Sequence, residues 1–255
     1  MEDTFGRNIR YLRLSVTELC DLRCRYCMAE EGVCKRGHEE LCSFEELQDF
    51  TAAAAALGVT KLRVTGGGEP LVRRGIVELC AMLRAVPGIE ELCLTTNGTR
   101  LEQLAAPLKA AGVDRLNISL DTLRPERYRE ITRTGELENV LRGIEAAERA
   151  GFENIKLNCV LLGGMNDDEI GDFVRLTAKK PWQVRFIELM PMGAKTMTFE
   201  CGMRFLTDYL QGDKYFRIHR EGHNLDRCRT QFKLVEDMEQ KWYTMNEIVK
   251  KYSNN

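Results

Sequence analysis

Short apolar runs alternate with longer stretches of helical period along the first three quarters of the chain. Tyr11–Val16, Lys61–Thr65, Glu91–Thr95, Arg115–Leu120, Ile155–Leu161 and Val184–Leu189 read as strands. Between them, Phe44–Leu57, Arg74–Ala85, Leu101–Ala111, Leu137–Ala150 and Asp167–Ala178 read as helices. Ser43 and Glu46 have capping-box spacing, and Gly58, Gly112 and Gly151 stand where left-handed helix stops are expected. Strands joined by helical crossovers predict an α/β fold, a partial (β/α)6 barrel of parallel strands with its chemistry at the strand C-terminal ends. Arg13, Ser15 and Thr17 share one face of the first strand, Asn117 and Ser119 one face of the fourth, and Lys156 and Asn158 one face of the fifth. Helical crossovers cover the outside of such a sheet, so these polar faces predict a wet lumen rather than a solvated outer surface. After Pro191 the pattern weakens to a helix at Met203–Leu210, a strand at Tyr215–His219 and a terminal helix at Met245–Tyr252. The expected division is a barrel core over 1–193 and a short C-terminal extension over 194–255.

Composition narrows the class. At 255 residues and 44% hydrophobic, the chain has material for one large core. A net charge of −2 argues against a dominant nucleic-acid surface and leaves room for a local basic pocket. No apolar run approaches the roughly 20 residues of a membrane span, and the acidic start Met1–Phe5 lacks a signal-peptide core. Ten cysteines in a chain of this length and pattern fit reduced thiols better than a disulfide scaffold. The expectation is a cytoplasmic protein with neither membrane nor nucleic acid as partner.

The loop directly after the first strand carries Cys20, Cys24 and Cys27 in a C-x3-C-x2-C spacing. Structural zinc takes four protein ligands in a closed tetrahedron, whereas an iron–sulfur cubane on three thiolates keeps one iron open for another ligand. The alternative is a zinc knuckle completed by Cys34, His38 or Cys42. That reading explains neither the barrel nor the segments downstream. Cys80, Cys93 and Cys159 fall in predicted helices or strands and read as core; Cys34, Cys42, Cys201 and Cys228 remain as candidates for an auxiliary cluster.

This spacing, with Tyr26 before the third cysteine, resembles the signature of the radical S-adenosylmethionine (SAM) superfamily. The resemblance implies a 4Fe–4S cluster on Cys20, Cys24 and Cys27. It also implies reductive cleavage of SAM to methionine and a 5′-deoxyadenosyl radical that abstracts hydrogen from a substrate. Gly66-Gly67-Gly68-Glu69-Pro70 resembles the family's glycine-rich segment beside SAM, where glycines permit close backbone approach and positive φ. From Tyr11 to Gly193, Thr95-Thr96-Asn97-Gly98, Leu116–Asp121, Lys156-Leu157-Asn158 and Arg185–Met190 are similar to the GTP 3′,8-cyclase family of molybdenum-cofactor biosynthesis. Carried across by that likeness, Tyr26, Gly66, Gly67, Gly68, Glu69, Ser119 and Met190 lie at SAM, and Arg13, Thr95 and Lys156 contact the purine nucleotide. An electron donor such as flavodoxin or ferredoxin is implied as a partner.

The chain departs from that family twice. The family has an arginine two residues before its Thr-Gly-Gly-Glu-Pro; counted back without a gap it falls on Val64, and alternation then turns neighbouring Arg63 to the other face. Its C-terminal second cluster and arginine run have only Cys201, Cys228 and Arg227-Cys228-Arg229 as counterparts. Arg13 and Lys156 alone are few contacts for a triphosphate. Those residues predict SAM cleavage with little turnover of GTP. A relative that modifies a peptide or another small molecule is the first alternative, and a non-catalytic iron–sulfur or zinc protein the second.

Overall fold

The computed structural model describes residues 2, 4, 6–33, 41–188, 192–214 and 216–245, without the side chains of 179, 188, 192–197 and 200. The chain divides into two compact units, Met1–Ile187 and Glu188–Asn255, taken separately below.

The first unit is an α/β fold on one six-stranded sheet: β1 (Tyr11–Ser15), β2 (Lys61–Thr65), β3 (Glu91–Thr96), β4 (Arg115–Ser119), β5 (Ile155–Leu161) and β6 (Gln183–Glu188). The strands are ordered as in the chain, and the pairs from β1 to β5 are parallel. Crossover helices α1 (Phe44–Ala56), α2 (Ile76–Arg84), α3 (Leu101–Ala110), α4 (Pro125–Thr132), α5 (Leu137–Arg149) and α6 (Ile170–Lys179) connect them. The capping box forms: Glu46 N–H donates to Ser43 Oγ at 3.1 Å, and Ser43 N–H to Glu46 Oε2 at 2.7 Å. Gly58, Gly112 and Gly151 adopt the positive φ expected of helix stops.

Alternation sets the two faces. Leu62, Val64, Leu92, Leu94, Leu116, Ile118 and Leu157 point one way and pack with Leu79, Leu83, Leu101, Leu108, Val140 and Ile144 of the helices. Each such side chain is worth about 1.5–3 kcal/mol of burial. The opposite, inner face carries the polar series. Because parallel strands share a direction, every strand C-terminus and the loop after it lie on one rim.

Two helices escaped the sequence pattern. α4 is short and polar, with Tyr128 and Ile131 as its apolar contacts, and it starts on Pro125, which suits a first helical turn. In the second unit, α7 (Met192–Leu210) contains the expected helix at 203–210, but α8 (His223–Gln240) lies where none was expected. The two helices pack through Phe199 and Phe232, whose rings stack at 5.6 Å, and Gly202 leaves room for Phe232. The expected strand at Tyr215–His219 does not form over the described residues 216–219. The terminal helix at Met245–Tyr252 lies outside the described residues apart from Met245. Among the described residues no helix is long and apolar enough to cross a membrane.

Candidate active site

The cysteine loop leaves β1 at the rim and is tied down on both sides, largely by backbone on one and by side chains on the other. From α4 and the residues after it, Thr132 O accepts from Arg23 N–H at 3.0 Å and Ile131 O from Arg25 N–H at 2.9 Å. The Arg133 guanidinium donates to the carbonyls of Arg23 (2.9 Å) and Met28 (3.2 Å). On the β3 side, Asp21 accepts from Asn97 Nδ2 and Thr99 Oγ1, both at 2.8 Å.

The glycine segment after β2 closes the third side. Gly68 N–H donates to Thr17 O (3.1 Å) and Glu69 N–H to Leu19 O (2.8 Å), a two-bond seam against the cysteine loop. A methyl on Gly66 would lie 2.7 Å from Thr17 O, and one on Gly68 2.6 Å from Glu18 O and closer still to the Leu19 carbonyl. Gly67 is open. Close approach is therefore the reason for two of these glycines. The expected positive φ is absent from all three. Glu69 turns inward: it is 3% exposed, and its carboxylate accepts from Thr96 Oγ1 (2.6 Å), Asn97 N–H (2.5 Å) and Leu71 N–H (3.0 Å). Burial pushes its pKa up to about 7 against those hydrogen bonds.

Cys20 and Cys24 are half-buried and Cys27 is exposed. Burial raises the Cys24 thiol to about 12, reinforced by Asp121 and by the neighbouring Cys20 and Cys27. Burial likewise raises Cys20. Such thiols stay protonated until a cation takes them as thiolates. Among the described residues no three His, Cys, Asp or Glu side chains converge on a point as a single metal ion needs. The donor set is three neighbouring thiols on a pinned loop, which suits a group larger than one ion. Tyr128, beneath the loop, adds a buried hydroxyl with no partner. The residues present therefore fit a 4Fe–4S cluster. Cys34 and His38, candidates for a zinc knuckle, lie outside the described residues, and Cys42 is exposed.

Above β4, Asp121 is buried and accepts from Tyr26 O–H (2.7 Å) and Val160 N–H (2.8 Å), so the aromatic before the third cysteine is latched to β4 and β5. Ser119 and Asn158 face each other in register at the same rim, and Asn158 Oδ1 is buried without a partner. Met190 lies outside the described residues.

The inner face below the rim corrects the expectation for β2. Arg63, not Val64, faces inward: it is in register with Arg13 and Cys93, its Nη1 reaches Thr95 Oγ1 at 3.4 Å, and Val64 is fully buried under the helices. The reason is in the glycine segment, which has three glycines between Thr65 and Glu69. Counted from Thr65, Arg63 is two residues earlier, as the family requires. Register adds Arg115, opposite Cys93, and Lys156, opposite Asn117. Alternation along β6 puts Arg185 on the same face. Burial, Arg115, Arg185 and Arg63 together lower the Lys156 pKa, which places these cations in one field. Arg115 and Lys61 share Glu91 at 2.9 and 2.8 Å, but Arg63 Nε is buried with no hydrogen-bond partner. The motif resemblance points to Arg13, Thr95 and Lys156 here; Arg63, Arg115 and Arg185 become legible from strand alternation only once register is known.

The nine described cysteines are unpaired, and Cys80, Cys93, Cys159 and Cys228 are buried. Cys93 nevertheless lines the inner face rather than the helix-covered one.

Residues 14–177 match the radical SAM superfamily. The chain belongs to that superfamily and is an enzyme of its class, whose members use a 4Fe–4S cluster and SAM. It is 53% identical over 193 residues to a GTP 3′,8-cyclase of Alkaliphilus oremlandii (strain OhILAs), covering 76% of this chain and 60% of that protein. A GTP 3′,8-cyclase of Heliobacterium modesticaldum (strain ATCC 51547 / Ice1) is 55% identical over 193 residues, covering 76% and 59%. The chain thus spans about three fifths of the length of the curated relatives it matches. Among solved structures it resembles HydG, a maturase of the [FeFe]-hydrogenase (TM-score 0.57, 19% identity, 71% of this chain and 43% of that one). It also resembles anSMEcpe with bound AdoMet (TM-score 0.55, 18% identity, 80% and 62%). These likenesses show the partial-barrel fold.

Proposed function

We propose that Cys20, Cys24 and Cys27 hold the 4Fe–4S cluster, that SAM lies between the cysteine loop and the strand ends, and that the substrate is a purine nucleoside triphosphate, as for GTP 3′,8-cyclases. One observation carries the substrate class: the inner face gathers Arg13, Arg63, Arg115, Lys156 and Arg185, while Glu91 is the acid it offers among the described residues. A triphosphate carries about four negative charges near neutral pH and is held by several charge-assisted contacts. Arg13 and Lys156 alone would be few; Arg63, Arg115 and Arg185 enlarge the field, which supports a triphosphate over the expectation of little GTP turnover.

When bound, the cluster supplies the electron that splits SAM into methionine and a 5′-deoxyadenosyl radical. The chain's own residues position the reactants. Gly66 and Gly68 let the backbone close on the cysteine loop, and the Tyr26–Asp121 latch fixes that loop against β4 and β5. Ser119, Met190 and Gly67 serve SAM, with Glu69 shaping the segment from beneath. Thr95 and Arg13 orient the nucleotide, whose phosphates sit on Arg63, Arg115, Lys156 and Arg185. A cytoplasmic setting and a flavodoxin- or ferredoxin-like donor complete the reading.

The test is anaerobic incubation with SAM, dithionite and GTP, followed by mass spectrometry for 5′-deoxyadenosine and a cyclised nucleotide. GTP-dependent formation of both supports the proposal. SAM cleavage with neither nucleotide product nor measurable GTP affinity would overturn the substrate assignment.

A further inference from the structure

We propose that the Tyr128 hydroxyl is a hydrogen-bond donor to the sulfur shell around Cys24, and so a positioning residue that sets the cluster's reduction potential. The inference rests on the assignment of the cluster to the cysteine triad. Tyr128 is 2% exposed, and its hydroxyl is buried with no hydrogen-bond partner. An orphaned buried hydroxyl is a cost to the fold, and a phenylalanine would fill the same space without it. A hydroxyl in that position calls for an acceptor that arrives with a ligand.

The surroundings say where that acceptor is. Tyr128 stands one turn before Ile131 and Thr132, whose carbonyls hold the amides of Arg25 and Arg23 on either side of Cys24. A methyl on Gly135 would touch Tyr128 Cε1 at 2.7 Å and Leu22 Cδ2 at 2.8 Å, so the ring shares a wall with the cysteine loop. Burial raises the phenol's pKa first, and Cys24, Asp121, Asp21 and Cys20 follow in that order as the groups near enough to add to it. Of the carboxylates, Asp121 is engaged by Tyr26 and Val160, and Asp21 by Asn97 and Thr99. The acceptors left are sulfur: the thiolates and sulfides of the loaded site. Hydrogen bonds to cluster sulfurs stabilise the more negative, reduced state and raise its potential.

The experiment compares wild type and Tyr128→Phe as full-length, anaerobically reconstituted protein. It reads iron per chain, midpoint potential by EPR-monitored titration, proton ENDOR in H2O and D2O, and urea stability of the apo chain. The expected result is equal iron, a more negative potential, loss of one strongly coupled exchangeable proton, and apo stability at or above wild type. Loss of iron from the variant at undiminished apo stability also supports the proposal, because one partnerless oxygen is all that was removed. Unchanged potential and unchanged proton coupling would overturn it. So would a less stable apo variant, since the hydroxyl would then have a partner within the protein. A wild type that binds no iron refutes the cluster assignment itself, and the iron count separates that failure from the others.

Discussion

Gly68→Ala tests whether the glycine segment exists to hold the cysteine loop. The added methyl would sit 2.6 Å from Glu18 O and nearer to the Leu19 carbonyl, against about 3.5–4.0 Å for an unstrained contact. The loop must therefore retreat by about 1.5 Å, the shortfall at the nearer Leu19 carbonyl. Leu19 O accepts from Glu69 N–H at 2.8 Å, and Thr17 O from Gly68 N–H at 3.1 Å. Retreat weakens both, at about 1 kcal/mol each, and overpacking adds about 1–3 kcal/mol. The expected loss, about 3–5 kcal/mol, does not exceed a domain's usual stability of about 5–15 kcal/mol, so the chain still folds. Cys20 follows Leu19 directly, and its thiol moves with the loop. Urea unfolding and iron content after anaerobic reconstitution are the assay, with Gly67→Ala as the control because its nearest atom would be 3.7 Å away. Gly68→Ala should be destabilised and load less iron, while Gly67→Ala should match wild type in stability and iron content. If the two variants melt alike and load iron alike, the seam does not depend on the missing side chain.

Three further outcomes are expected. Burial raises Glu69 from 4.5 to about 7, so the native chain holds a proton there that the unfolded chain releases. Its contribution is complete below about pH 4.5 and fades as pH rises through about 7, by about 3 kcal/mol in all; urea unfolding of apo protein should show this decline, and Glu69→Gln should flatten it. Arg63→Ala should weaken GTP binding about tenfold or more by calorimetry, the loss of a charge-assisted contact. Val64→Ala should instead cost about 2 kcal/mol of stability and leave GTP affinity unchanged; equal effects of the two on GTP would mean the face assignment is wrong. Ser119→Ala should lower SAM affinity about fivefold, one hydrogen bond's worth, at constant iron content, and unchanged affinity would remove Ser119 from the SAM site.

The six strands were legible because each is a short run between turn signals, with its polar residues on alternate positions. α4 was not, since its two apolar contacts, Tyr128 and Ile131, make no stripe, and its helicity is supported by the loop that hangs on its end. α8 was missed for a related reason: its apolar positions are sparse, and its stability comes from pairings such as Phe199 with Phe232 that no local window contains. The strand expected at Tyr215–His219 has the right alternation, but alternation needs a neighbouring edge to become a strand. Within the site, the thiol spacing and the glycine segment were visible as motifs. The ties that fix them, Asp21 to Asn97 and Asp121 to Tyr26, join residues 76 and 95 positions apart and appear only with the fold.

Arg63 shows why register outranks motif counting for substrate. A single additional glycine between Thr65 and Glu69 shifts a gap-free count by one residue, and in a strand one residue exchanges the lumen for the core. The sheet decides the matter physically. Val64 is enclosed by Leu14 and Leu94 under the helices, where a guanidinium would be an uncompensated buried charge. Arg63 beside Arg13 and Thr95 reaches the open side. The cations there are layered. Lowest on this face, Lys61 and Arg115 share the single negative charge of Glu91, which leaves one net positive charge between them. Arg63 stands level with Arg115, its Nε without a partner, and two residues nearer the rim Lys156 is disfavoured in its charged form by burial and by Arg115, Arg185 and Arg63. Repulsion between like charges with unused donors weakens an empty pocket and strengthens a filled one. On the proposed function, a triphosphate would relieve the repulsion and satisfy the donors together, with its sugar toward the rim beside Ser119 and Asn158. That polarity, anion low and sugar high, is what hydrogen abstraction from a nucleotide's ribose would need.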